Sequence, residues 1–129
     1  MGQKVRFVFP QQGVEIEAEL KETDLGRKVF AILPFEGRVN TWGKEIYFPI
    51  PLRSDIISPQ SSVQKGDIGY WPEGACLCLF FGPTPVSASD AEIRPASDVE
   101  VVGRILGDVA CLEQVLPGSV VRIVKGERS

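Results

Sequence analysis

Apolar and polar residues alternate along much of this chain. Val14, Ile16, Ala18 and Leu20 fall on one side of a strand whose other side carries Glu15, Glu17 and Glu19. This is the pattern of a sheet with one face on a core and one in water. Lys4 to Phe9 forms the strand before it, and Pro10-Gln11-Gln12-Gly13 supplies the turn. The glutamates therefore read as a solvated row. A catalytic carboxylate pair needs two different environments to separate its pKa values, and a regular row offers none.

The period changes at Thr23, which can cap a helix whose first turn contains Asp24. Leu25, Val29, Ile32 and Leu33 then recur at helical spacing until Pro34, predicting a helix over 23–33. About ten residues with one apolar stripe are marginal alone. The helix is therefore expected to pack on the sheet through Leu25, Val29 and Ile32, plugging one mouth of a barrel.

From Arg38 the period is two again, with a hairpin of Arg38 to Trp42, a turn at Gly43, and Glu45 to Ile50. A polar loop follows through Gln64. The stretch from Gly66 to Ser87 contains a strand closed by Tyr70 and Trp71, a turn at Pro72-Glu73-Gly74, and a second strand from Ala75 to Phe81. That second strand is apolar on both faces, as in a sandwich or closed barrel. Gly82-Pro83-Thr84-Pro85 terminates it. Asp90 to Ala96 reads as a loop or short turn, and Asp98 to Leu106 as a strand with Val99, Val101 and Ile105 on one side. Val109 to Leu116 reads as a short helical turn, and Ser119 to Lys125 as the closing strand. About eight strands and one or two helices predict a mainly β fold closed into a barrel. With no internal repeat and no linker, residues 1–129 form one expected domain.

Composition narrows the function. The hydrophobic share is 43%, the charged share 24% and the net charge −3, ordinary values for a globular protein. Lys and Arg number 14, are scattered, and are outnumbered by 17 acids, so no basic stripe awaits a nucleic acid. No apolar run approaches the ~20 residues of a membrane helix, and MGQKVRFVFP lacks the features of a signal peptide. A cytoplasmic protein is expected. The three cysteines fit a reducing compartment, with Cys76 and Cys78 on one face of a strand and Cys111 apart. The chain has no histidine, so a four-ligand zinc site would need carboxylates as well. The thiols therefore read as packing, and no metal or cofactor is expected.

Several segments together resemble a known family. Thr23 to Pro34, Trp42-Gly43-Lys44-Glu45-Ile46-Tyr47-Phe48, Gly66-Asp67-Ile68-Gly69-Tyr70-Trp71-Pro72 and Phe80 to Ser87 look like a family of short bacterial and archaeal proteins with a cyclophilin-like barrel. The resemblance continues through Ala96-Ser97-Asp98-Val99 and Val102-Gly103-Arg104-Ile105, so it spans nearly the whole chain. It implies a closed eight-stranded β-barrel capped by a helix, in a family without an established activity. Prolyl-isomerising cyclophilins set an arginine from a Phe-His-Arg motif beside a Gln-Gly-Gly-Asp segment. Neither motif is present here, and the only methionine is Met1. Arg38, Arg53, Arg94 and Arg104 remain as guanidinium candidates for polarising a prolyl amide. Fold alone does not transfer that activity.

The candidate site is the concentration of amphipathic aromatics beside an isolated acid: Trp42, Glu45, Tyr47, Tyr70 and Trp71, with Thr84 at the rim. Glu45 and Tyr47 share one face of their strand, opposite Ile46 and Phe48. If Ile46 and Phe48 pack outward, Glu45 and Tyr47 line the barrel interior. A carboxylate, a phenol and two indoles suit a small cationic or amide-bearing ligand, and burial among them would raise the pKa of Glu45. The same rings would also fill an ordinary core if their N–H and O–H groups found backbone partners. Thr84 is equally a rigid strand terminator, and Asp67 a carboxylate satisfying backbone donors in a turn. The expected function is a small-ligand or peptide binding module. Two other classes stay open: an atypical prolyl isomerase, and an accessory subunit of an amide- or urea-processing hydrolase, in which similar barrels occur. Association with a second copy of the chain is open too.

Overall fold

A computed structural model describes residues 2–89 and 92–126. The strands are β1 (Gln3–Phe9), β2 (Val14–Leu20), β3 (Phe35–Arg38), β4 (Asn40–Thr41), β5 (Glu45–Pro49), β6 (Asp67–Trp71), β7 (Cys76–Phe80), β8 (Glu100–Leu106) and β9 (Val120–Lys125). One helix, α1 (Asp24–Ala31), follows β2, and a 3₁₀ turn spans Ala110–Gln114. All strand pairs are antiparallel, in the order β3-β9-β1-β2-β8-β6-β7-β5-β4.

The two ends of that order are joined by the chain itself. Only Val39 separates β3, which pairs with β9, from β4, which pairs with β5. Val39 is buried; its N–H donates to the Ser119 carbonyl at 2.8 Å, and its own carbonyl accepts from the Gly118 N–H at 2.8 Å. Segment 35–41 thus serves two neighbours in succession and nearly closes the barrel. Counted as one segment it gives the expected eight staves; counted by hydrogen bonding it gives nine strands.

The period-two patterns fill the interior. Phe7, Phe9, Leu20, Ile46, Phe48, Ile68, Tyr70, Leu77, Leu79 and Ile123 are all fully buried in one core. At the start of α1, Thr23 Oγ1 accepts from the Gly26 N–H at 3.1 Å. A Cβ on Gly26 would lie 2.0 Å from the Lys21 carbonyl oxygen, so glycine lets the helix sit against the end of β2. Leu25 and Val29 enter the core, whereas Ile32 is only half-buried, in the turn after the helix. The helix is shorter than the expected 23–33.

Both faces of β7 are covered. Leu77 and Leu79 point inward, while Cys78 and Phe80 join Val63, Ile93, Val99 and Val101 in a second cluster on the outer wall. The expectation that Val99, Val101 and Ile105 share a side is corrected here. Ile68 pairs with Gly103 but Gly69 with Val101, leaving Val102 as an extra residue in β8. This bulge switches the alternation, so Val102 and Ile105 face the core and Val99 and Val101 the outer wall. Of the expected loop Asp90 to Ala96, Asp90 and Ala91 lie outside the described residues.

Candidate functional site

The aromatic residues gather on the outer wall, not inside the barrel. The interior takes Ile46 and Phe48 from β5, which leaves Glu45 and Tyr47 on the opposite face. Ile46 and Phe48 do not pack outward, so the condition under which Glu45 and Tyr47 would line the barrel interior is not met. Strand register sets the floor of the resulting pocket. Tyr47 lies opposite Cys78, and Cys78 opposite Gly69. Lacking a side chain, Gly69 leaves room that Val99 enters: a Cβ there would be 3.0 Å from Val99 Cγ2. Trp42, Glu45, Tyr47 and Trp71, with Cys78, Pro95, Ala96 and Val99, enclose about 290 Å³.

Local structure holds each wall. Trp42 and Glu45 are bound by reciprocal backbone hydrogen bonds of 2.9 and 3.1 Å around a tight turn in which Gly43 has φ +59°. The Lys44 N–H donates to the Pro83 carbonyl at 3.0 Å, and a Cβ on Gly43 would lie 2.8 Å from Pro85 Cδ, so the proline segment braces this turn. The Tyr47 and Trp71 rings meet edge to face, 6.4 Å between centroids. Trp71 Nε1–H donates to Ser97 Oγ at 2.6 Å, fastening the 95–99 wall to β6.

Glu45 is only 5% exposed, and its Oε1 is buried without a hydrogen-bond partner. Burial pushes its carboxyl up from 4.5 to about 7, partly offset by a hydrogen bond with the Cys78 thiol. Burial likewise raises the Cys78 and Cys76 thiols, and the charge of Glu45 adds to both effects. Lys44, the adjacent cation, pairs with Glu113 at 3.4 Å.

Two of the six candidate residues lie elsewhere. Tyr70 points into the barrel core, where its hydroxyl donates to the Leu52 carbonyl at 2.8 Å and accepts from the Ser54 N–H at 3.1 Å. Thr84 is buried but does not line the pocket. Its hydroxyl donates to the Arg94 carbonyl, and its N–H donates to Ser87 Oγ at 2.9 Å, an oxygen that also accepts from the Arg94 N–H at 3.0 Å. Thr84 thus ties down the loop that leads to Pro95. Sequence reasoning missed Pro95 and Ala96, which come from a stretch without periodicity, and Val99, whose strand it read without the bulge that turns it to the outer wall. It placed Cys78 on the correct strand without linking it to Tyr47, for which the pairing register is needed.

A larger, polar cleft of about 760 Å³ lies between the ends of β2 and β8 and the 60–64 loop, bounded by Glu19, Lys21, Glu22, Asp67 and Arg104. Asp67 accepts from the Gln64 N–H at 2.8 Å, a turn interaction. Among the other guanidinium candidates, Arg38 donates to the Gly118 carbonyl and Arg94 pairs with Glu92. Among the described residues, no arginine lines the aromatic pocket. Among the described residues, no group of three or more His, Cys, Asp or Glu could hold a metal ion. No helix among them is long and apolar enough to cross a membrane.

A barrel closed through one shared segment, with a helix against one end, defines the class, and comparison with known proteins agrees. The family model described as Cyclophilin-like matches residues 3–124, and the chain belongs to this cyclophilin-like family. Among solved structures, it is similar to the solution structure of a hypothetical protein from Archaeoglobus fulgidus. The two are 35% identical, with 97% of this chain and 95% of that chain covered and a TM-score of 0.81. No curated protein matches the chain.

Proposed function

We propose that this protein is a cytoplasmic binding module that takes a small organic molecule into the outer-wall pocket of Trp42, Glu45, Tyr47 and Trp71. The observation that carries the reading is the Glu45 carboxyl, 5% exposed, with Oε1 unpartnered in a pocket walled by aromatic rings. An unsatisfied buried polar group costs ~1–3 kcal/mol, and a ligand donor at that oxygen would offset the cost. Convergent polar and aromatic groups in a concavity, with a strongly shifted pKa, are the physical signature of a binding site. The volume suits a molecule of a few carbons or one side chain of a peptide. The free thiols at Cys76, Cys78 and Cys111 fit a reducing compartment. The isomerase alternative would need a guanidinium at the pocket, and among the described residues its lining contains none.

The test is nitrogen-edited NMR of the Trp42 and Trp71 indole N–H groups during titration with small amines, amides and alcohols at millimolar concentration. At least one class should move both resonances, and the response should disappear in Tyr47→Ala. If no class moves either indole, the reading fails.

A further inference from the structure

We propose that the occupant of this pocket is a small alkylated ammonium ion, its charge against Glu45 and its alkyl groups against the faces of Trp42, Tyr47 and Trp71. The inference rests on the binding reading above and names the chemistry of the ligand.

Three observations point the same way. First, the pocket offers a buried acceptor, Glu45 Oε1, and no positively charged side chain among the described residues to meet it. The Trp71 N–H is taken by Ser97, and among the described residues no Lys or Arg lines the cavity. The group that completes Glu45 Oε1 must therefore donate or carry positive charge. Second, the electrostatics agree in sign, because aromatic faces carry negative quadrupole density and Glu45 adds a carboxyl that ionises. The adjacent Lys44 turns away to Glu113, leaving the carboxyl without a cation of its own.

Third, hydrogen-bonding capacity selects the degree of substitution. A primary ammonium brings three N–H donors, whereas the cavity shows one unpartnered buried oxygen, Glu45 Oε1. A primary ammonium seated against the rings would turn N–H donors onto aromatic carbon, each donor left dry there at a cost of ~1–3 kcal/mol. A tertiary ammonium brings one donor and a quaternary ammonium none, and their alkyl groups bury favourably against Trp42, Tyr47, Trp71 and Val99. The 290 Å³ equals the liquid volume of roughly ten waters at ~30 Å³ each, room for a trimethylammonium group and a short chain.

The test compares choline with dimethylbutanol, its uncharged isostere in which carbon replaces nitrogen. Each is titrated into the full chain at mildly alkaline pH while the Trp42 and Trp71 indole resonances are followed. Choline should bind at least about tenfold tighter, as expected when cation–π and carboxylate attraction act together in a partly dry site. In Glu45→Gln the preference should fall severalfold. Equal binding of the two probes to the unmodified protein would overturn the cation assignment and leave a ligand pocket standing. Silence from both probes would overturn the assignment and count against the pocket reading as well. The wild-type comparison decides the matter even if the variant folds poorly.

Discussion

Replacing Glu45 by glutamine keeps the shape of the side chain and an acceptor for the Cys78 thiol while removing the charge. In the native protein burial lifts the carboxyl from 4.5 to about 7. Below about pH 4.5 both the native and the unfolded chain hold the proton, and the residue costs nothing through ionisation. As pH rises toward 7 the unfolded chain releases its proton first, so the native state loses stability relative to it. Above 7 the native carboxyl is ionised and the loss is complete. Each tenfold change in a protonation constant is worth about 1.4 kcal/mol, so the full loss is roughly 3 kcal/mol. Urea denaturation of both proteins from about pH 4.5 to about pH 8 measures it, because every other titrating group cancels in the difference. The two should be nearly equal at the acid end, and Glu45→Gln more stable by about 2–3 kcal/mol at the alkaline end. Parallel profiles would show that Glu45 is solvated. A wild type that gains on the variant with rising pH would mean that a cation pairs with Glu45 in the free protein. Either result refutes the reasoning.

Other consequences follow from where the side chains lie. Tyr70→Phe removes a hydroxyl that bridges Leu52 and Ser54, so urea denaturation should show a loss of about 1–2 kcal/mol while choline binding is unchanged; weakened binding with stability intact would return Tyr70 to the site. With a thiol reagent on the native protein, half-buried Cys111 should label first and Cys78 last, its thiol buried and raised by burial and Glu45; Cys78 labelling at the rate of Cys111 would contradict the packing of the outer wall. A protease-coupled proline-peptide assay should show no acceleration, because no arginine among the described residues lines the pocket. Acceleration abolished by alanine at Arg38, Arg53, Arg94 or Arg104 would restore the isomerase reading.

The parts of the structure legible in the sequence are those where burial differs between the two sides of an element. In β2 the apolar side faces the core and the glutamates face away, and the doubly apolar β7 is covered on both faces. In β5 both sides are amphipathic or apolar, so alternation groups Glu45 with Tyr47 but cannot say which side faces the lumen. The core settles it by burying Ile46 and Phe48 completely. Neighbours on a strand face opposite ways, so Tyr70 and Trp71 could not both reach one pocket, and Trp71 is the one that does. The Val102 bulge inverts β8 without any sequence mark. The bonds from Thr84 to Ser87 and the Arg94 carbonyl join positions that no local pattern relates.

The most direct test of the account is a carbon-detected titration of the Glu45 side-chain carboxyl, assigned by its disappearance in Glu45→Gln, with and without saturating choline. The free protein should show a midpoint near 7, and choline should draw it downward because the cation favours the ionised form. A midpoint in the ordinary carboxylate range, unmoved by choline, would contradict both the dry environment of Glu45 and the ligand assigned to it.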